Sequence, residues 1–161
     1  RRKVITMNDV QRFTQAAEQA GFSVVAEKFP EGTRTASDAA AAVGCELAQI
    51  VKSLVFVHED NPYLVLASGK NRVDESLVAE VMGVKSLSMA SPEQVREATG
   101  FAIGGTPPFG HPTPIRTTLD KDLLAYETVW AAAGTPDTCF PISPQDLEKI
   151  TSAVVADVAA A

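Results

Sequence analysis

Apolar and polar positions follow two periods along this chain, and the switches between them mark its elements. Helical spacing joins Val10, Phe13, Ala16, Ala17 and Ala20, after an Asn-x-x-Gln capping box at Asn8 and before a closing Gly21. Thr35 and Asp38 form a second box ahead of Ala39–Val43, which Gly44 ends. Ser91-Pro92-Glu93-Gln94 and Ser143-Pro144-Gln145-Asp146 share one start signal: a capping serine, proline at the first helical position and an acceptor at the third. A further helix is predicted from Asp74 to Val81, stopped by Gly83.

Runs with strand character fall between these helices. Phe22–Glu27, Ile50–Val57, Tyr63–Ser68 and Ser86–Met89 come first, then Ile115–Leu119, Thr128–Ala132 and Cys139–Ile142. Ser152–Val158 fits either a last strand or a helix. The turn residues His58–Pro62 separate two apolar runs and predict a hairpin. Helices mixed with strands, one hairpin among them, predict a mixed α/β fold and argue against a purely parallel sheet. No repeat, low-complexity tract or linker divides the chain. It reads as one domain over 1–161, with residues 1–7 as an N-terminal extension.

Composition narrows the function classes. Apolar residues make up 45% and charged residues 21%, the balance of a globular protein. No apolar run approaches the roughly 20 residues that cross a bilayer, so no membrane association is expected. The basic start, Arg1-Arg2-Lys3, lacks the apolar stretch of a secretory signal. Cys45 and Cys139 stand far apart without a C-x-x-C pattern, which fits a reduced, cytoplasmic protein with each cysteine a small core residue. The net charge of −6 is the reverse of what a protein gripping a nucleic-acid backbone presents. It leaves two options: no nucleic acid, or contact with only a short end of it.

Two features could carry chemistry. Lys52 interrupts the apolar run Ile50–Val57, and alternation sets it on the face of Ile50, Leu54 and Phe56. A lysine there either meets an anion or extends its stem to reach water. The second feature is the segment Thr99–Gly110, with four glycines and two prolines. Its backbone N–H groups could serve a carbonyl or an oxyanion, with Gly104, Gly105, Thr106, Phe109 and Gly110 as donors, since Pro107 and Pro108 have none. A plain turn explains the same composition, and no Walker or dinucleotide loop is matched. His58 reads as solvated, His111 as structural or proton-shuttling, and Asp120 as a helix cap or a ligand-binding carboxylate. Two separated histidines without a cysteine cluster argue against a metal hydrolase, and no G-x-S-x-G supports a serine triad. No metal or cofactor is expected.

In order along the chain, Thr35-Ala36-Ser37-Asp38-Ala39-Ala40, Ile50-Val51-Lys52-Ser53-Leu54-Val55-Phe56, Gly69, Val73-Asp74, Thr99-Gly100-Phe101, Gly104–His111 and Asp120 resemble the YbaK family. That family includes Cys-tRNA(Pro) and Ala-tRNA(Pro) deacylases and the editing insertion of bacterial prolyl-tRNA synthetases. The resemblance spans about residues 22–158 and implies a mixed α/β fold with a twisted, partly barrel-like sheet. It also implies a pocket for the aminoacyl-adenosine end of tRNA. Lys52, Gly104 and Gly105 would be its catalytic residues, with Lys52 holding the terminal phosphate or the ester. Thr35, Gly69, Thr106, Pro108, Phe109, His111 and Asp120 would bind substrate.

The expected activity is a trans-acting deacylase for mischarged tRNA, with tRNA(Pro) carrying alanine, cysteine or another small amino acid as substrate. The expected partners are the acceptor end alone and prolyl-tRNA synthetase. Lys52, Lys70, Arg72 and Arg116 could supply the basic patch. Ala133–Thr138 stands where Cys-specific members carry a glycine- and arginine-rich stretch, which turns the expectation away from a strict Cys-tRNA(Pro) enzyme. Two alternatives remain open: an inactive module of the same fold holding a tRNA end or a nucleotide, and a small-molecule hydrolase working through Asp120 or His111.

Overall fold

The architecture rests on one strand pair that is buried on both faces. In a computed structural model, which describes residues 7–161, β2 (Val51–His58) and β3 (Asn61–Ser68) form an antiparallel hairpin with Val51 opposite Ser68 and His58 opposite Asn61. Only Glu59 and Asp60 make the turn, both at positive φ, as a tight two-residue hairpin requires. Pro62, expected in that turn, belongs to the strand. Along β2, Val51, Val55 and Val57 enter the larger core, while Leu54 and Phe56 enter the smaller one on the opposite face. β3 divides in the same way, with Leu64 and Leu66 on one side and Val65 and Ala67 on the other.

Two sheets are built around this pair. The five-stranded sheet runs β4 (Ser88–Met89), β2, β3, β5 (Arg116–Asp120) and β8 (Val154–Ala156), with β3, β5 and β8 parallel. The second has β7 (Thr138–Ile142) between β1 (Glu27–Lys28) and β6 (Val129–Ala132). They meet where Ile50 bridges to Trp130. Ile50, expected on the face of Lys52, instead packs with Ala39, Ala40 and Cys139 in a third small cluster.

The five α-helices among the described residues are α1 (Asp9–Gln19), α2 (Ala36–Val43), α3 (Glu75–Met82), α4 (Pro92–Thr99) and α5 (Pro144–Thr151). Their starts follow the capping chemistry, with Asn8, Thr35, Asp74, Ser91 and Ser143 each accepting a backbone N–H. Phe13 of α1 meets Phe140 and Phe109 at 4.9 and 5.1 Å between ring centroids and closes the larger core. None of the described helices is long and apolar enough to cross a membrane. The basic residues 1–6 lie outside the described residues.

Two expectations change. Phe22–Glu27 is paired only at its end, where Glu27 and Lys28 join β7. The alternation before it is real, since Val24 and Ala26 pack on the larger core, but burial of one face does not need a ladder partner. Ser152–Val158 resolves as a strand, β8, begun after Ser152 at φ +53.

Gly69 closes the end of β3 for a steric reason. A Cβ there would collide with the Leu47 carbonyl oxygen and crowd Ile50 and Ala36. Gly69→Ala is expected to destabilise the protein by about 1–3 kcal/mol, the usual range for overpacking. Urea unfolding checks this, and an unchanged midpoint would contradict it.

Candidate active site

Lys52 stands where the two sheets meet. β4 pairs with β2 only at Phe56 and Val57, so among the described residues no strand is paired along the outer edge of β2 from Val51 to Leu54. A cleft of about 260 Å³ opens there. Its walls are Thr33–Ala36 and Ala39 around the start of α2, Ile50–Leu54, the loop residues Ile103, Gly104 and Thr106, and Trp130–Ala132 with Cys139. Small side chains dominate this wall, so the space is narrow and largely apolar.

The lysine is held by a chain of polar contacts. Its Nζ donates to the carbonyl oxygen of Asn71 in the turn after β3. The Asn71 side-chain amide in turn donates to Asp120 Oδ2 at 2.8 Å and Asp122 Oδ2 at 2.7 Å. Asp120 is fully buried at the end of β5 and accepts two backbone N–H groups besides, Ser68 at 3.0 Å and Asp122 at 3.0 Å. A buried carboxylate with three donors is satisfied without direct contact with the ammonium. Burial pushes the Lys52 pKa below its ordinary value, and the Asp120 charge partly offsets that fall.

The glycine-rich loop meets the cleft at a few points only. Ala102–Gly105 form a turn in which the Gly105 N–H donates to the Ala102 carbonyl at 3.0 Å, with Gly104 at φ +86. A Cβ on Gly105 would come within 2.8 Å of Thr135 Cα, so that residue serves close packing against β7's approach. The Thr106 hydroxyl also donates to Ala102 at 3.0 Å. Among the described residues no internal acceptor takes the N–H of Gly104 or Thr106, and both residues line the cleft. Two residues with unclaimed backbone donors therefore line Lys52's pocket.

The remaining sequence-derived candidates divide by position. Thr35 lines the cleft, although its hydroxyl caps α2 by accepting Asp38 N–H at 3.0 Å. Gly69 lines a second groove shared with Lys52. Pro108, Phe109 and His111 border a separate hollow of about 170 Å³. The Phe109 ring is spent in the aromatic cluster, and the His111 ring is bonded to the Pro107 carbonyl at 2.8 Å. Burial lowers the His111 pKa, with that carbonyl pulling it partly back. Arg116 lies apart from the other three cations and donates to Met82 O at 2.8 Å.

Four contributors escaped sequence reading. Arg34 reaches the cleft from the residue before Thr35, and Trp130 forms part of its wall. Ser53 lines it too, with an Oγ that is buried and unpartnered among the described residues. The fourth, Asn71, carried one signal, its place in a short Gly-Lys-Asn-Arg turn after the strand that pairs with the lysine's own. Cys139 is a wall residue whose thiol burial keeps protonated, which leaves it a poor nucleophile. Among the described residues no cluster of three or more histidine, cysteine or acidic side chains could hold a metal.

The result is a small, largely apolar cleft bordered by the Lys52 ammonium, with Gly104 and Thr106 on its wall. The chain belongs to the aminoacyl-tRNA editing domain family, whose model matches residues 30–150. It is 49% identical, with a TM-score of 0.91 over 98% of this chain and 100% of the other, to a crystal structure provisionally described as a trans-editing enzyme for prolyl tRNA synthetase. The uncharacterized protein YwhH of Bacillus subtilis is 33% identical over 125 residues, 77% of this chain and 79% of that one. A proline–tRNA ligase of Limosilactobacillus fermentum is 31% identical over 117 residues; the match covers 70% of this chain and only 20% of the ligase.

The polar chain behind Lys52 makes a prediction independent of substrate. NMR titration should place the Lys52 pKa below 10.5, and Asp120→Asn should lower it further by removing the charge that raises it. A rise on that substitution would contradict the arrangement.

Proposed function

We propose that this protein is a trans-acting deacylase that hydrolyses the ester of mischarged tRNA(Pro) in the cytoplasm. The observation that carries the reading is the narrow cleft with the Lys52 ammonium and the free Gly104 and Thr106 amides on its border, in a chain of the editing-domain family. The likeness to a protein described as a trans-editing enzyme for prolyl tRNA synthetase supports tRNA(Pro) as the substrate and prolyl-tRNA synthetase as the functional partner in this reading.

A site of this kind supplies discrimination that a synthetic pocket lacks. One methylene is worth only about 1–3 kcal/mol, so a smaller amino acid is poorly rejected at charging. In the editing reading, a small side chain such as that of alanine or cysteine occupies the space left by Ala36, Ala39 and Ala131. Water adds to the ester carbonyl, and the developing oxyanion accepts from the Gly104 and Thr106 N–H groups. Collapse of the tetrahedral intermediate releases the ribose oxygen, which leaves with the proton, and the amino acid keeps the hydroxyl. Lys52 anchors the nucleotide side of the ester and acts as a cation, not as a base. Activated esters hydrolyse readily once positioned, so no side-chain nucleophile is needed.

The test is a panel of tRNA(Pro) charged with alanine, cysteine, other small amino acids or proline. Hydrolysis is expected for one or more of the small mischarged esters, with Pro-tRNA(Pro) spared. Lys52→Ala should slow it about 10- to 100-fold, the scale of one lost charge-assisted contact. Equal rates for the two proteins would remove Lys52 from the site. Binding of the tRNA end without hydrolysis of any ester would instead make the chain an inactive module.

The pH dependence follows from the charge. Because the cation is the active form and its pKa lies below the ordinary value, enzymic rate should fall as pH rises through a value under 10.5. Lys52→Arg should move that fall to higher pH. Rates corrected for spontaneous hydrolysis check this, and an enzymic rate still climbing past pH 10.5 would contradict it.

A further inference from the structure

Lys52 borders two spaces, and the second has chemistry of its own. Lys52 and Leu54 line both the acyl cleft and an open groove of about 830 Å³. Lys70 and Arg72, both exposed, stand along it, and Leu54 and Met89 give it an apolar patch. Met89 is 60% exposed, a large apolar side chain left in water on the short edge strand β4. Cations beside an apolar surface match a single nucleic-acid strand, whose phosphates seek charge and whose bases seek flat apolar contact.

A second hollow shares Arg34 with the acyl cleft. That hollow, of about 590 Å³, holds Arg34 together with Glu31, Asp38 and Asp137. One lining cation among three carboxylates repels a phosphate chain. The Lys52 groove also carries acidic residues, Asp74 and Glu75, and Lys70 lies 3.9 Å from Asp122. Asp74, however, is turned to its own helix, accepting the N–H groups of Ser76 and Leu77. Counting Asp122, three cations stand against three carboxylates here. The other hollow sets three carboxylates against Arg34 and Lys28, which lies 3.9 Å from Asp137. The balance leaves this groove the more favourable path for an anion.

We propose that the unpaired 3′ end of the RNA leaves the acyl cleft past Lys52 and runs along this groove. The phosphates preceding the terminal nucleoside lie against Lys70 and Arg72, and a base rests on Leu54 and Met89. This route rests on the deacylase reading for its substrate, but it concerns where the RNA lies and not what the protein does to it. It also accounts for an acidic protein engaging RNA, since the contact is confined to one local stripe of charge.

The experiment measures binding of an uncharged RNA hairpin ending in a single-stranded CCA, at several salt concentrations, separately from deacylation. Lys70→Ala with Arg72→Ala should weaken binding about tenfold and lower the salt slope by about 0.7 per lost phosphate contact. Met89→Ser, a surface change, should weaken binding several-fold with the slope unchanged. Neutralising the other hollow with Glu31→Gln and Asp38→Asn should leave the affinity nearly as it was.

An unchanged affinity and slope in the lysine–arginine variant would overturn the route. So would marked tightening on neutralising Glu31 and Asp38, or displacement of the RNA by adenosine monophosphate at equal concentration. The two readings fail separately. Deacylation by the wild type with no groove dependence defeats the route alone, and groove-dependent binding with no deacylation of any ester defeats the activity alone.

Discussion

The site depends on one buried carboxylate. Asp120 ends β5 beside the parallel strand β3, and its two oxygens collect the N–H groups of Ser68 and Asp122 and the amide of Asn71. Those bonds tie the end of β3, the turn after it and the start of the next segment to one point. The Asn71 carbonyl, fixed by that clamp, receives the Lys52 ammonium. A fully buried charge is costly, and here it is balanced by three donors and a cation one residue further out. If the carboxylate were absent, the turn would lose its anchor and the lysine its nearest compensating charge.

This arrangement explains how a lysine can occupy an apolar strand. Leu54 and Phe56 continue its face into the smaller core, but β4 stops short of it and the edge of β2 stays open. Lys52 thus stands at the rim of two spaces that differ in chemistry. One is narrow, apolar and supplied with free amides; the other is wide, polar and cationic. The ester of an aminoacyl-tRNA joins two parts with those same characters, a small side chain and an anionic strand. In the deacylase reading, the lysine marks the boundary at which the reacting bond is set.

Much of the fold was legible because its signals are local. The capping residues Asn8, Thr35, Ser91 and Ser143 act within three positions of themselves, and the hairpin announces itself by a polar turn between apolar runs. Lys52 was legible because a charge in such a run is conspicuous. Asp120 was legible only as a cap. It does accept the Asp122 N–H, but its bonds to Ser68 and Asn71 span 52 and 49 positions, which no local pattern reveals. Asn71 looked like an ordinary turn residue for the same reason. The Gly104–Gly110 loop was visible by composition, yet composition does not say which amides its own turns consume. The Gly105 N–H is used in a turn, and Phe109 and His111 border a separate hollow, so of the loop's donors without an internal acceptor only Gly104 and Thr106 belong to residues lining the cleft.

In the deacylase reading, the acyl end of the substrate sits between Lys52 and the amides of Gly104 and Thr106. A stable analogue, adenosine joined to alanine through a 3′-amide in place of the ester, can be titrated while amide and lysine side-chain NMR signals are followed. The Gly104 and Thr106 amides and the Lys52 side chain are expected to show the largest changes together, with His111 little affected. Changes centred on His111 and its hollow, with Gly104, Thr106 and Lys52 unmoved, would contradict it.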